Sequence, residues 1–181
     1  MKVRSFLFIT TILIGSLTSS CNLDKDDDDD LYTYPDLTAT VTVTGAVIDS
    51  FTFTNAENGA AGAAYILHGS HSGADNIILI AGNSASSTYS ITATLPTIQT
   101  GTVNLTEGSY LNSAGTQPVV FTELLSGSLT ITSADLLWAQ GAGQVYSIDG
   151  TWSVELEEDA SPAQAVTLTG AFNNLVIISV P

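Results

Sequence analysis

The only two histidines of the chain lie close together, in His68-Gly69-Ser70-His71-Ser72-Gly73, with Asp75 just beyond. Two imidazoles and a carboxylate could ligate a cation, but zinc asks for three or four such groups in fixed geometry. A His-x-x-His pair set among Gly and Ser matches no metal signature. It fits a polar turn between strands around Ile66 and Ile78. His68, His71 and Asp75 are therefore weak candidates, and no metal or other cofactor is expected. The same stretch carries His71 where a hydrolase elbow Gly-x-Ser-x-Gly needs its serine, which excludes that nucleophile. Glu155, Glu157, Glu158 and Asp159 form the densest carboxylate group of the C-terminal half. A glycosidase needs two carboxyls facing each other across a cleft, about 5–10 Å apart. Here Glu155 and Glu157 share the solvent side of a strand whose other side carries Trp152 and Leu156, and Glu158-Asp159 precede a Ser161-Pro162 turn. No phosphate loop, dinucleotide fingerprint or Cys-x-x-Cys occurs. No catalytic residue is assigned, and the chain is not expected to be an enzyme. Trp138, with Tyr110 and Tyr146, is the set of aromatics that could stack on a sugar, against the commoner use of such rings as core.

The elements that would position these residues follow from composition. Of 181 residues, 3 are basic and 18 acidic. The basic ones are Lys2, Arg4 and Lys25, so beyond Asp26 there is no Lys or Arg. Salt bridges to those residues cannot hold the folded part together, and burial with backbone hydrogen bonding must do so. Nucleic acid is excluded as a partner, because phosphate binding needs clustered cations. The single cysteine, Cys21, excludes an intramolecular disulfide.

Residues 1–20 form an export signal. Lys2 and Arg4 supply the positive start, and Phe6 to Leu17 an apolar run shorter than the ~20 residues a membrane-spanning helix needs. The run ends in Leu17-Thr18-Ser19-Ser20-Cys21. This resembles a bacterial lipobox, with small residues at 19 and 20 and Thr18 in place of the usual Leu. The likeness implies that Cys21 becomes the N-terminus and carries a thioether diacylglycerol and an amide-linked acyl chain. With each buried methylene adding about 0.8 kcal/mol, several chains anchor stably. Residues 21–36 are then expected to form an acidic, disordered tether around Asp26 to Asp30, whose adjacent charges repel one another. Fully extended from Cys21 to Pro35, it reaches about 50 Å. An Asp-rich stretch just behind a lipidated Cys also resembles the surface-export signal of Bacteroidetes lipoproteins, which implies display on the outer face of the outer membrane.

Residues 37–181 are the length of one domain. Leu37, Ala39, Val41 and Val43 alternate with threonines, and the same period of two marks Tyr89–Leu95, Leu129–Ile131, Trp152–Leu156 and Val166–Leu168. This pattern predicts half-buried antiparallel strands. Ile77 to Ala81 and Leu175 to Ile178 are apolar at every position, which predicts strands covered on both faces. Glycines punctuate the chain, and turns or bulges are expected at them. About 8–10 strands predict an all-β domain, an antiparallel β-sandwich or a small β-barrel.

Three C-terminal strands carry a family likeness: Gly127-Ser128-Leu129-Thr130-Ile131-Thr132, Ile148-Asp149-Gly150-Thr151-Trp152 and Val166-Thr167-Leu168-Thr169-Gly170-Ala171-Phe172. In this the domain resembles a family of uncharacterised Bacteroidetes surface lipoproteins, with Trp152 where a Phe is usual. The resemblance spans roughly Leu37 to Val180 and implies an all-β fold and no assigned catalytic residue. The expectation is a non-catalytic surface module, partnered by the membrane through its lipid and by an extracellular glycan or envelope protein. A small barrel carrying an apolar ligand is the alternative, and a carbohydrate-active enzyme ranks behind it.

Overall fold

The computed structural model describes residues 35–54, 66–84, 86–115, 117–141, 143–160 and 162–181. Signal peptide, lipobox, Cys21 and the Asp26–Asp30 run lie outside the described residues. Ten strands follow one another: β1 (Thr38–Gly45), β2 (Asp49–Thr54), β3 (Ile66–Ser72), β4 (Ile77–Asn83), β5 (Ser87–Thr94), β6 (Gly101–Asn112), β7 (Val119–Phe121), β8 (Glu123–Gln140), β9 (Gly143–Glu157) and β10 (Ala165–Val180). No helix occurs among the described residues.

The architecture is a closed barrel. A ring of 7 strands runs β10-β3-β4-β5-β6-β8-β9 and returns to β10, with β1, β2 and β7 as additions. Of the two forms open to an all-β chain of this size, the barrel is the one adopted. Its closure depends on β10 having three partners. One edge pairs with β9 over nearly its whole length. The other edge is shared: its first half takes β1 antiparallel, from Asn173 opposite Thr38 to Val166 opposite Gly45, and its last residues take β3 in parallel. The change falls at a bulge between Phe172 and Leu175, where Asn174 adopts a left-handed φ of 57°. Asn tolerates that conformation better than most residues. Its amide N–H donates to Asp149 Oδ1 at 2.7 Å, and its side-chain N–H donates to the Asp36 carbonyl at 2.9 Å. The parallel β3–β10 pair departs from the antiparallel pattern expected.

Alternation sorts the residues as the sequence implied. Leu37, Ala39, Val41 and Val43 are buried, as are Tyr89, Ile91, Ala93, Leu95, Trp152, Val154, Leu156, Val166 and Leu168. The threonines between them mostly face out. Apolar inside and hydroxyl outside is the reverse of a membrane-spanning barrel. The interior is filled by rings: Tyr89 stacks on Trp152 at 5.1 Å between centroids and on Phe51 at 6.0 Å, Phe51 meets Phe53 edge-on, and Tyr110 stacks on Phe121.

Two expectations are corrected. The continuous apolar runs are not covered on both faces. In β4, Ile78 and Ile80 are buried while Ile77 and Leu79 are each 38% exposed, and in β10 Ile177 is buried while Ile178 is 57% exposed. A single closed layer has only one inner face, so every second residue of such a run meets solvent. Nor are the glycines mainly at turns. Gly82, Gly150 and Gly170 lie inside strands, opposite Tyr89, Phe172 and Trp152 respectively, and each ring occupies the space a Cβ would need.

Candidate functional site

His71 and its neighbours close one end of the barrel. The histidines belong to β3 rather than to a turn, which occupies residues 73–76. This corrects the sequence expectation; the backbone of 66–72 is held by pairing with β4, His71 opposite Ile78. His71 is buried, with Nε2 2.7 Å from the Leu95 carbonyl and Nδ1 2.8 Å from Ser179 Oγ. A carbonyl only accepts, so Nε2 bears a proton, and in the neutral ring Nδ1 accepts from the serine hydroxyl. Both ring nitrogens thus serve the fold, tying the ends of β3, β5 and β10 together. Asp75 is exposed in the turn and accepts from Ser72 Oγ at 3.0 Å. His68 lies in β3 opposite Ala81, and its side chain lies outside the described residues. Among the described residues no three His, Cys, Asp or Glu side chains come together as a metal site.

Above the His71–Ser179 pair lies a cleft of about 180 Å³. The end of β10 contributes Ser179, Val180 and Pro181, and the start of β9 contributes Gln144 and Tyr146. The connection after β5 adds Pro96, Thr97 and Ile98. That connection is anchored from below: Leu95 N–H donates to the Asn76 carbonyl at 2.6 Å, and Leu95 and Ile98 are buried in the core. Tyr146 O–H donates to Gln144 Oε1 at 2.8 Å, which sets the two side chains against each other. The lining side chains include no Asp, Glu, Lys or Arg.

The three aromatics proposed for stacking are separated. Tyr110 is fully buried against Phe121. Tyr146 is half-buried and lines the cleft. Trp138, 49% exposed, stands opposite Val145, which in turn stands opposite Ile178. Trp138 and Ile178 flank Val145 and shield it, so it is buried although its neighbours are exposed. Trp152 is core, as its phase predicted. The carboxylates do not converge on a cleft: Glu155 is exposed and accepts from Ser126 Oγ at 3.4 Å, and Glu158 opens the turn that closes on Gln164.

A polar cluster at the opposite end of the barrel was not anticipated. Asp49 Oδ2 accepts from Ser87 Oγ at 2.8 Å and from Tyr110 O–H at 3.4 Å. Asn112 Nδ2 donates to the same tyrosine oxygen at 3.0 Å. Ser87 begins β5 and Leu95 follows its end, so this cluster and the cleft lie a full strand apart. Its only signals in the sequence were an Asp at a strand start and a Tyr-x-Asn at a strand end, which are common in unrelated chains. No family model, curated protein or solved structure matches this chain.

Proposed function

We propose that the chain is a lipid-anchored envelope protein, held through Cys21 and displayed on the outer face of the outer membrane. In this reading its barrel is a non-catalytic module that recognises a ligand at its surface. The export segment, the lipobox-like Leu17–Cys21 and the acidic run behind it support the location. The observation that carries the binding reading is the interior. The barrel is closed, but its centre holds the Tyr89–Trp152 stack, Phe53 and Phe172, and a hollow of about 180 Å³ among the described residues lies at one end. A carrier of apolar ligands needs an open interior. His71 is spent on two structural hydrogen bonds, and the acidic side chains are dispersed, which supports a binding role over turnover.

Two measurements test the proposal. Metabolic labelling with a radioactive fatty acid is expected to mark the wild type and to spare Cys21→Ser; label retained on the variant removes the anchor. Titration with a fluorescent fatty acid is expected to give no saturable binding. One-to-one saturation would replace surface recognition by carriage.

A further inference from the structure

We infer that the end cleft is a subsite for one ring of a neutral saccharide. The inference rests on the reading of the barrel as a binding module. Its first support is charge. The chain carries a formal net charge of −15, yet no charged side chain lines the cleft. Without Lys or Arg anywhere beyond residue 25 there is nothing to compensate a phosphate, sulfate or uronate brought out of water. Anionic ligands thus pay desolvation with no return, which favours neutral ones.

The second support is the mixture of surfaces. Tyr146 and Pro96 offer apolar faces, and Gln144, Thr97 and Ser179 offer hydrogen-bonding groups. A pyranose presents the same pair of surfaces, a C–H face and a rim of hydroxyls, and aromatic rings take such amphipathic faces well. The Gln144 amide offers N–H donors, because its oxygen already accepts from Tyr146, whose own oxygen keeps an accepting lone pair. Ser179 Oγ, donating to His71 Nδ1, likewise keeps acceptor capacity toward a sugar hydroxyl. The third support is size. At about 180 Å³ the hollow is smaller than the ~300–1,000 Å³ of whole-ligand sites, so it suits a single ring of a longer chain.

The floor of the cleft is cross-linked by hydrogen bonds. His71 ties β3 to β10 and to the connection bearing Pro96 and Thr97, so these groups are positioned before a ligand arrives. Preorganisation of this kind limits the entropy lost on binding.

The test is a two-dimensional amide NMR titration of the full mature chain, carrying Cys21→Ser so that it stays free of lipid. The probes are the methyl glycosides of glucose, galactose, mannose and N-acetylglucosamine, with glucuronic acid and galactose 6-sulfate as charged controls. At least one neutral glycoside is expected to shift the amides of Thr97, Gln144 and Tyr146 with a Kd on the order of 1 mM, and the charged sugars at least tenfold more weakly. Tyr146→Ala and Gln144→Ala should each weaken the shift about tenfold while leaving the rest of the spectrum in place. Absence of shifts at about 50 mM of every neutral probe overturns the inference, as does equal response to the charged sugars. Shifts confined to Trp138 and Ile178 also overturn it, while leaving a surface-binding module in place with its site on the outer wall.

Discussion

Trp152 of β9 lies directly opposite Gly170 of β10, with its indole lying over the glycine so that no side chain fits there. Two residues along, the arrangement reverses: Phe172 of β10 lies opposite Gly150 of β9 and covers it. The segments Gly150-Thr151-Trp152 and Gly170-Ala171-Phe172 are thus the same device run in opposite directions, each aromatic covering the other strand's glycine. A ring laid on a glycine supplies the contact that the missing side chain cannot.

Trp152→Ala is therefore expected to cost on the order of 3–5 kcal/mol, by opening a cavity beneath Tyr89. Gly170→Ala should cost about 1–3 kcal/mol by displacing the indole. Chemical denaturation of both variants measures this. If Gly170→Ala leaves the midpoint unchanged, the indole is free to move and the interlock is not a source of stability.

Tyr89 predicts a pH dependence. Burial removes water from its phenol and pushes its pKa well above the ordinary value near 10. Below that value the residue is protonated in both folded and unfolded chains and adds no pH dependence. Above it the unfolded chain releases the proton and the folded chain keeps it, so stability falls as pH rises, by about 1.4 kcal/mol per pH unit from this group. Denaturation midpoints taken at pH 8, about 10 and about 11 should show the fall, and Tyr89→Phe should lessen it. An identical slope in the variant would place the alkaline loss elsewhere.

Asp49 fastens the β1–β2 hairpin to a part of the barrel with which β2 forms no backbone ladder. The sheet order leaves β2 next to β1 alone, and beside the Phe51–Tyr89 stack its polar link to β5 and β6 is the carboxylate contact to Ser87 and Tyr110. Asp49→Ala should cost about 1–3 kcal/mol, because Ser87 and Tyr110 can donate to each other only one way and one buried hydroxyl is left short of an acceptor. Hydrogen exchange should rise first in β1 and β2. Uniform acceleration in all strands would show that the hairpin opens only with the whole domain.

The acidic run carries its own expectation. Replacing Asp26 to Asp30 with Ala should leave the chain lipidated but shielded from protease added to intact cells, if the run is the surface-export signal its composition resembles. Equal digestion of both forms makes the run a spacer.

How much of this was legible depended on the range of the interactions. The period of two placed Val41, Ile91, Trp152 and Leu168 in the core, because alternation is a local property that any half-buried strand shares. Sandwich and barrel stayed open, since what separates them is whether β9 meets β10 while β3 also does, a pairing among distant segments. The apolar runs at 77–81 and 175–178 misled for the same reason. Hydrophobicity without alternation says nothing about how many layers cover a strand, and here the chain leaves Leu79, Ile178 and Val180 in solvent. Tyr110 and Tyr146 are the same residue type in similar local contexts, and only the tertiary fold sends one into the core and the other to the cleft. The change of partner at Asn173-Asn174 was written in the sequence, as a pair of residues tolerant of a left-handed backbone, but nothing nearby marked it as more than a polar interruption.

The three-way pairing of β10 governs when this molecule can become a molecule. β1, β3 and β9 each leave an edge that β10 fills, and β10 ends at Val180. A chain emerging from its N-terminus therefore has nine strands in place before the cylinder can shut. Until then it remains an open-sided ribbon with unpaired edges, slow to lock because its closing contacts join residues far apart in sequence. Such a delay leaves the edges of β3 and β9 open to pairing with other chains until the last strand docks.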